Sequence, residues 1–167
     1  GQIRGDVRRA AIDDELEPAL TWNSRPLGEV IRSINKFSNN VMTRQLLYTL
    51  GAEMFEAPGT EEKGIDAIHD YLERKGLDHS GLVVDNGAGL SRDTRISAEL
   101  LAEVLAIAAD SPLGPEYLAS LSLGGLDGTT RNRFRRGTAA GNIHVKTGRL
   151  DHVSALAGYV HSVRGED

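Results

Sequence analysis

Cysteine is absent from the 167 residues, so neither a disulfide framework nor a thiolate metal site is possible. No apolar stretch approaches the roughly 18 to 20 residues that cross a bilayer as a helix. The opening Gly1-Gln2-Ile3-Arg4 is not a signal peptide, and any export signal is expected upstream of it. A basic surplus is also missing: a net charge of -5 argues against a nucleic-acid partner, because proteins that neutralise phosphates carry excess Lys and Arg. The local exception, Arg131, Arg133, Arg135 and Arg136, reads as a solvated face ahead of an anionic-ligand patch. His69, His79, His144, His152 and His161 show no ligand spacing and read as surface or structural residues, with no metal implied. There is no Gly-x-Ser-x-Gly elbow for a Ser-His-Asp hydrolase. Neither glycine-rich stretch continues into the Gly-Lys-Ser/Thr of a phosphate loop.

What is present is an ordinary globular composition, 40% hydrophobic and 26% charged, in a chain long enough to bury one core. Residues 1–25 mix Arg8, Arg9, Asp13, Asp14, Glu15 and Glu17 with few apolar positions, and read as a connecting segment whose candidates for burial are Leu20 and Trp22. From Pro26 onward Leu27, Val30, Ile31 and Ile34 recur at helical spacing, behind a proline suited to a first turn. Val41, Met42, Leu46, Leu47 and Leu50 predict a second helix, closed by Gly51 at C′. Between them Ser38-Asn39-Asn40 is a run of poor helix formers that favour caps and turns.

Thr60 is placed to cap a helix buried through Ile65, Ile68 and Leu72 and ended by Gly76. Residues 82–84 predict a short strand before the turn Asn86-Gly87-Ala88-Gly89. Ser97 caps a helix over 98–109, and residues 115–121 predict a short one, followed by a loop over 124–128. The end predicts a hairpin: a strand over 143–146, a turn over 148–151, then Val153, Ala155, Ala157 and Tyr159 on a second strand. Helices followed by an antiparallel pair define an α+β class, with residues 26–167 as its domain.

Lys146-Thr147-Gly148 presents an ammonium and a hydroxyl to a carboxylate, while glycine lets a ligand backbone approach the strand edge. Alone the tripeptide also makes a serviceable turn, and Ser38-Asn39-Asn40 an ordinary interhelical one. Together, in this order and settings, they are two of the three motifs by which enzymes attack D-alanyl amides and β-lactams: Ser-x-x-Lys, Ser-x-Asn and Lys-Thr-Gly.

Residues 32–51 (RSINKFSNNVMTRQLLYTLG), 84–92 (VDNGAGLSR), 125–129 (GLDGT) and 145–160 (VKTGRLDHVSALAGYV) give the chain its resemblance to the low-molecular-mass class C penicillin-binding proteins. These are serine D-alanyl-D-alanine carboxypeptidases and endopeptidases of the bacterial cell wall. The resemblance implies a partial penicillin-binding/β-lactamase-like domain, a helical cluster with antiparallel strands. It also implies roles. Ser38 relays a proton towards the leaving amine, Asn40 donates its amide to the substrate carbonyl, and Lys146 polarises Ser38. Thr147 binds the terminal carboxylate, Gly148 keeps the strand edge open, and the backbone N-H of Arg149 is one oxyanion donor. Many relatives carry Thr or Ser at position 149, so a side-chain hydroxyl contact there is lost.

Ser33-Ile34-Asn35-Lys36 is a literal Ser-x-x-Lys, but it lies inside the first predicted helix, five residues before Ser38. Five helical residues turn by about 140° and rise by roughly 7.5 Å, so the two serines cannot converge on one carbonyl. It reads as a decoy. The nucleophile is expected upstream of Gly1, and a further strand and helix beyond residue 167, so that the chain alone is inactive. Asp85 and the turn after it, like Asp127-Gly128, read as scaffold. The implied partners are stem peptides ending in D-Ala-D-Ala, β-lactams and the rest of the same protein, outside the cytoplasmic membrane, with no cofactor. A β-lactamase and a non-catalytic peptidoglycan-binding module remain as alternatives.

Overall fold

The structure is a computed structural model that describes residues 4–6, 9–11 and 15–162. It is α+β as expected: helices α1 (Leu27–Phe37), α2 (Asn40–Phe55), α3 (Glu61–Arg74), α4 (Ala98–Asp110) and α5 (Gly114–Ser120), with strands β1 (Ser122–Leu123), β2 (Ile143–Leu150) and β3 (Val153–Val160). The strands form one antiparallel sheet in the order β1-β2-β3. Arg8, Asp13 and Asp14 of the connecting segment lie outside the described residues. Leu20 and Trp22, expected to be buried, are instead 81% and 86% exposed. They precede the first helix in an exposed stretch that forms no helix or strand.

Pro26 sits one position earlier than expected, at the N-cap of α1, where its carbonyl accepts from Glu29 and Val30 N-H at 3.0 and 3.2 Å. The helix ends where Ser38 turns left-handed, φ 55° and ψ 55°, and Asn39 starts α2 by accepting from Met42 N-H at 3.0 Å. Gly51 does not end α2, which continues to Phe55. Its missing side chain serves packing: a Cβ there would lie 2.7 Å from the backbone nitrogen of Gly64 in α3. Two glycines thus let α2 and α3 approach closely, with Leu47 buried beside them.

Thr60 caps α3 through Lys63 N-H (3.3 Å). Gly76 closes it as expected: its N-H reaches Glu73 O at 2.9 Å, and Leu77 N-H reaches Leu72 O at 3.0 Å. That is the double bond pattern of a left-handed glycine cap, with φ 69° at Gly76. The strand expected over 82–84 reduces to one bridge, Val83 with Arg95, because the glycine turn begins before a longer ladder can form. Ser97 caps α4 as expected, through Leu100 N-H at 3.0 Å.

The hairpin is longer than its predicted strand. β2 runs through Gly148 to Leu150, and only Asp151 and His152 connect it to β3. Gly148 pairs with Ala155 inside the ladder, so glycine marks an open strand face here rather than a turn. β1, two residues long, is too short to carry a period and was not visible in the pattern. The core joins Ile34, Leu47, Ala67, Leu72, Leu100, Leu121 and Val145. β1 pairs only with His144 and Val145, so β2 from Lys146 to Leu150 has one edge without a strand partner among the described residues.

Candidate active site

The unpaired edge of β2 faces the α1–α2 junction across a cleft of about 1030 Å³. Ser38, Asn40, Lys146, Thr147, Gly148 and Arg149, the six residues singled out by sequence, all line it. Lys146 Nζ donates to Ser38 Oγ at 2.5 Å and to Thr147 O at 2.7 Å. Burial holds the Lys146 ammonium below its ordinary pKa, since desolvation disfavours the charged form. Neither ion pair among the described residues, Lys36–Asp127 or Arg44–Glu61, includes it.

Asn40 donates its side-chain amide to Ala88 O. Asn86 Oδ1 accepts from Ala88 N-H at 3.0 Å, and Arg44 Nε donates to Asn86 O at 3.3 Å. The start of α2 therefore holds the glycine-rich loop in place, and Gly87 to Leu90 become a rim of the cleft. The amide of Asn40 keeps a second N-H for another acceptor.

On the β2 side, Thr147 Oγ1 donates to Thr129 Oγ1 at 2.8 Å. Ser122 Oγ, fully buried, accepts from Thr129 N-H at 3.3 Å and lies 3.3 Å from its hydroxyl. This row of hydroxyls fixes the rotamer of Thr147 from beneath. A Cβ at Gly148 would meet only Ala155 Cβ, at 3.4 Å, so the strand face there is open.

Ser33-Ile34-Asn35-Lys36 lies within α1, and its lysine is committed elsewhere. Lys36, 7% exposed, donates to Asp127 Oδ2 at 2.5 Å and to Leu121 O at 2.7 Å. Asp127 Oδ1 in turn accepts from Leu123 N-H at 2.7 Å. Burial pushes the Asp127 carboxyl up, but the hydrogen bonds from Lys36 and Leu123 and the charges of Lys36 and Arg32 outweigh it and hold the group below its ordinary value. The pair ties α1 to the loop after β1 and leaves Ser33 without a base. Asp127 is scaffold, as its turn chemistry suggested.

Sequence reasoning missed Thr129 and Arg133 as cleft residues. Thr129 closed a matched motif, yet nothing local marks it, because its partner is 18 residues away. Arg133 was folded into a charge cluster read as solvated. None of the five histidines lines the cleft, and among the described residues no group of three or more His, Asp or Glu could hold a metal ion.

A Ser-x-Asn turn facing a Lys-Thr-Gly strand across a cleft defines the penicillin-binding class of proteins, and this chain carries that half of its architecture. It belongs to the D-Ala-D-Ala carboxypeptidase 3 (S13) family, which it matches over residues 1–167. It is 33% identical to a D-alanyl-D-alanine carboxypeptidase of Actinomadura sp. (strain R39), an alignment covering 98% of this chain and 32% of that protein. It is 34% identical to the carboxypeptidase DacB of Mycolicibacterium smegmatis, over 82% of this chain and 31% of that protein. The fold is similar to penicillin binding protein 4 (dacB) of Haemophilus influenzae in complex with a β-lactam, with a TM-score of 0.80 at 25% identity, over 85% of this chain and 33% of that one. The chain spans about a third of the length of the curated relatives it matches.

Proposed function

We propose that the protein containing this chain is a serine D-alanyl-D-alanine carboxypeptidase and endopeptidase. It cleaves peptidoglycan stem peptides through an acyl-enzyme and is captured by β-lactams at the same site. Residues 26–167 are assigned to its penicillin-binding domain and 1–25 to a connecting segment. The observation that carries this reading is the Lys146–Ser38 hydrogen bond across the cleft. The ammonium polarises the Ser38 hydroxyl, which passes a proton to the departing amine of D-alanine.

The substrate lies along the open edge of β2, where backbone groups can pair with an extended peptide. Asn40 orients the peptide carbonyl with its remaining N-H. Thr147, held by Thr129, donates to the terminal carboxylate when that anion replaces its present acceptor. Gly148 leaves room for the ligand backbone, and the backbone N-H of Arg149 is one oxyanion donor, a contact of the kind usually worth about 3 kcal/mol in the transition state. The only Ser-x-x-Lys in the chain is excluded by the Lys36–Asp127 pair, so the attacking serine is assigned to sequence outside residues 1–167. A substrate in the cell wall requires a site outside the cytoplasmic membrane. No described helix is long and apolar enough to cross a membrane.

The test is release of D-alanine from a diacyl-L-Lys-D-Ala-D-Ala peptide by the full-length protein. Wild type releases it, and Ser38→Ala slows release by about 100-fold or more, the usual scale of a lost proton relay. No release by wild type, or equal rates in the two proteins, contradicts the reading.

A further inference from the structure

The charge of the chain is uneven. Four of its 19 Lys and Arg residues, Arg131, Arg133, Arg135 and Arg136, fall close together in the loop after the 3-10 turn Gly128–Thr130, in a protein that carries 24 Asp and Glu. Residues 128–150 contain no acidic residue. All four arginines are exposed, and neither ion pair among the described residues includes one of them. Like charges held this close repel one another, and a counter-charge from outside the chain relieves that repulsion.

The loop that carries them is not a free tail. It is pinned beside β1 at both ends: Gly125 N-H donates to Thr130 O at 3.1 Å, and Gly141 N-H donates to Gly124 O at 3.0 Å. Between these ties Phe134, left-handed at φ 58°, lays its backbone against the glycine pair. A Cβ on Gly125 would lie 2.9 Å from Phe134 O and 3.2 Å from Arg135 Cα, so a side chain there would lift the loop away. The guanidinium groups are braced as well. Arg135 Nε donates to Arg131 O at 3.1 Å and its terminal nitrogen donates to Asn132 Oδ1, while the Arg133 guanidinium lies 5.2 Å from the ring centroid of Phe134. A pre-ordered arginine loses less freedom when it binds, and its planar fork keeps donors for a carboxylate.

The position of the loop decides what it can meet. Arg133 lines the cleft, whereas Arg131, Arg135 and Arg136 lie outside it. Three guanidinium groups outside the cleft do nothing for a ligand confined within it, but they meet one that continues past its rim. A stem peptide is joined to a polymer, and each stem of that polymer that ends in D-alanine carries a carboxylate. The polymer is therefore a polyanion, which a single stem peptide is not.

We infer that loop 131–136 is a second docking surface, separate from the catalytic cleft, that holds a peptidoglycan strand through the carboxylates of stems other than the one being cleaved. The identity of the polymer rests on the acyl-transfer reading above; the surface itself rests on the loop. Each contact is weak, but contacts linked through one strand add, so that the loop favours polymeric substrate over free peptide.

The test uses the full-length protein acylated beforehand with benzylpenicillin, which closes the cleft to stems, and measures its co-sedimentation with purified peptidoglycan. Wild type binds at low salt and is released at about 1 M salt, where charges are screened beyond about 3 Å. Arg131→Gln, Arg135→Gln and Arg136→Gln each weaken binding by about 1.5- to 5-fold, the range of one exposed charge contact, and the triple variant weakens it by about 10-fold or more. Peptidoglycan whose carboxyls have been converted to methylamides binds wild type no better than native peptidoglycan binds the triple variant. Without penicillin, every variant releases D-alanine from the soluble diacyl-L-Lys-D-Ala-D-Ala peptide at the wild-type rate within about twofold, and its thermal midpoint is unchanged, which separates docking from a structural role. Wild-type binding by the triple variant, binding indifferent to salt or to methylamidation, or a loss confined to phosphatidylglycerol vesicles sedimented in the same way overturns the docking surface and leaves the acyl-transfer reading in place. Failure of benzylpenicillin to acylate wild type overturns both.

Discussion

Lys146 Nζ and Ser38 Oγ are 2.5 Å apart although 108 residues separate them in sequence. One residue comes from a strand whose edge is open, the other from the left-handed residue that ends α1. The contact exists because α1 is fixed to the β1 region by Lys36–Asp127 and by Asn35 Nδ2 donating to Ser120 Oγ at 2.8 Å. Two ties on one helix set the height of Ser38 above the sheet.

Burial lowers the Lys146 pKa from its ordinary 10.5. Lysine loses its charge as pH rises through that lowered value, so the ammonium that polarises Ser38 and attracts anions disappears before pH 10.5. The acylation rate of the full-length protein is expected to fall on the alkaline side with a midpoint below 10.5. Lys146→Arg, slower throughout, remains charged and loses that limb. An alkaline limb unchanged in Lys146→Arg would assign it to another group.

Asp127→Asn removes the charge partner of a lysine that is 7% exposed. Breaking a fully buried pair costs about 3 to 5 kcal/mol; with the Asp127 side chain 39% exposed, the expected loss is smaller, about 2 kcal/mol at neutral pH. The folded carboxyl titrates below 3.8, so in the window just under that value the unfolded chain binds more protons. The stabilisation is complete above it and lost as pH falls through the folded value. Denaturant unfolding at pH 7 and in that acid window is expected to show the wild-type advantage shrinking with acidity. An advantage that does not change with pH contradicts this.

Gly51→Ala places a methyl group 2.7 Å from the Gly64 nitrogen and 2.8 Å from Lys63 Cβ. Helix propensity alone would make the change stabilising by up to about 1 kcal/mol. Backbone on the opposing helix cannot yield as a side chain does, so overpacking dominates and about 1 to 3 kcal/mol is lost. Thermal unfolding is expected to show a lower midpoint for Gly51→Ala, whereas Gly76→Asn, at an exposed left-handed cap with open space around it, moves it far less.

The elements with strong local signals were readable from the sequence. The caps at Asn39, Thr60 and Ser97, and the glycine stop at Gly76, depend on hydrogen bonds within a few residues. Gly51 misled because a glycine near a helix end has two uses, and only the neighbouring α3 decides between them. Leu20 and Trp22 misled for the converse reason: apolar character marks a candidate for burial but supplies no surface to pack against. In the site, all six chosen residues line one cleft because motif spacing encodes them. Thr129 reaches the cleft wall through a partner 18 residues away and Arg133 through the course of the loop that follows it, and neither has a local pattern.

The most direct test is intact-mass analysis and site mapping after brief exposure of the full-length protein to labelled benzylpenicillin, with Ser33→Ala and Ser38→Ala in parallel. The account predicts one penicilloyl adduct per chain, on a serine outside residues 1–167. It predicts a rate unchanged within about twofold in Ser33→Ala and reduced by about 100-fold or more in Ser38→Ala. An adduct on Ser33, or full-speed acylation of Ser38→Ala, would contradict the claim that Lys146 and Ser38 form the proton-relaying half of an acyl-transfer site.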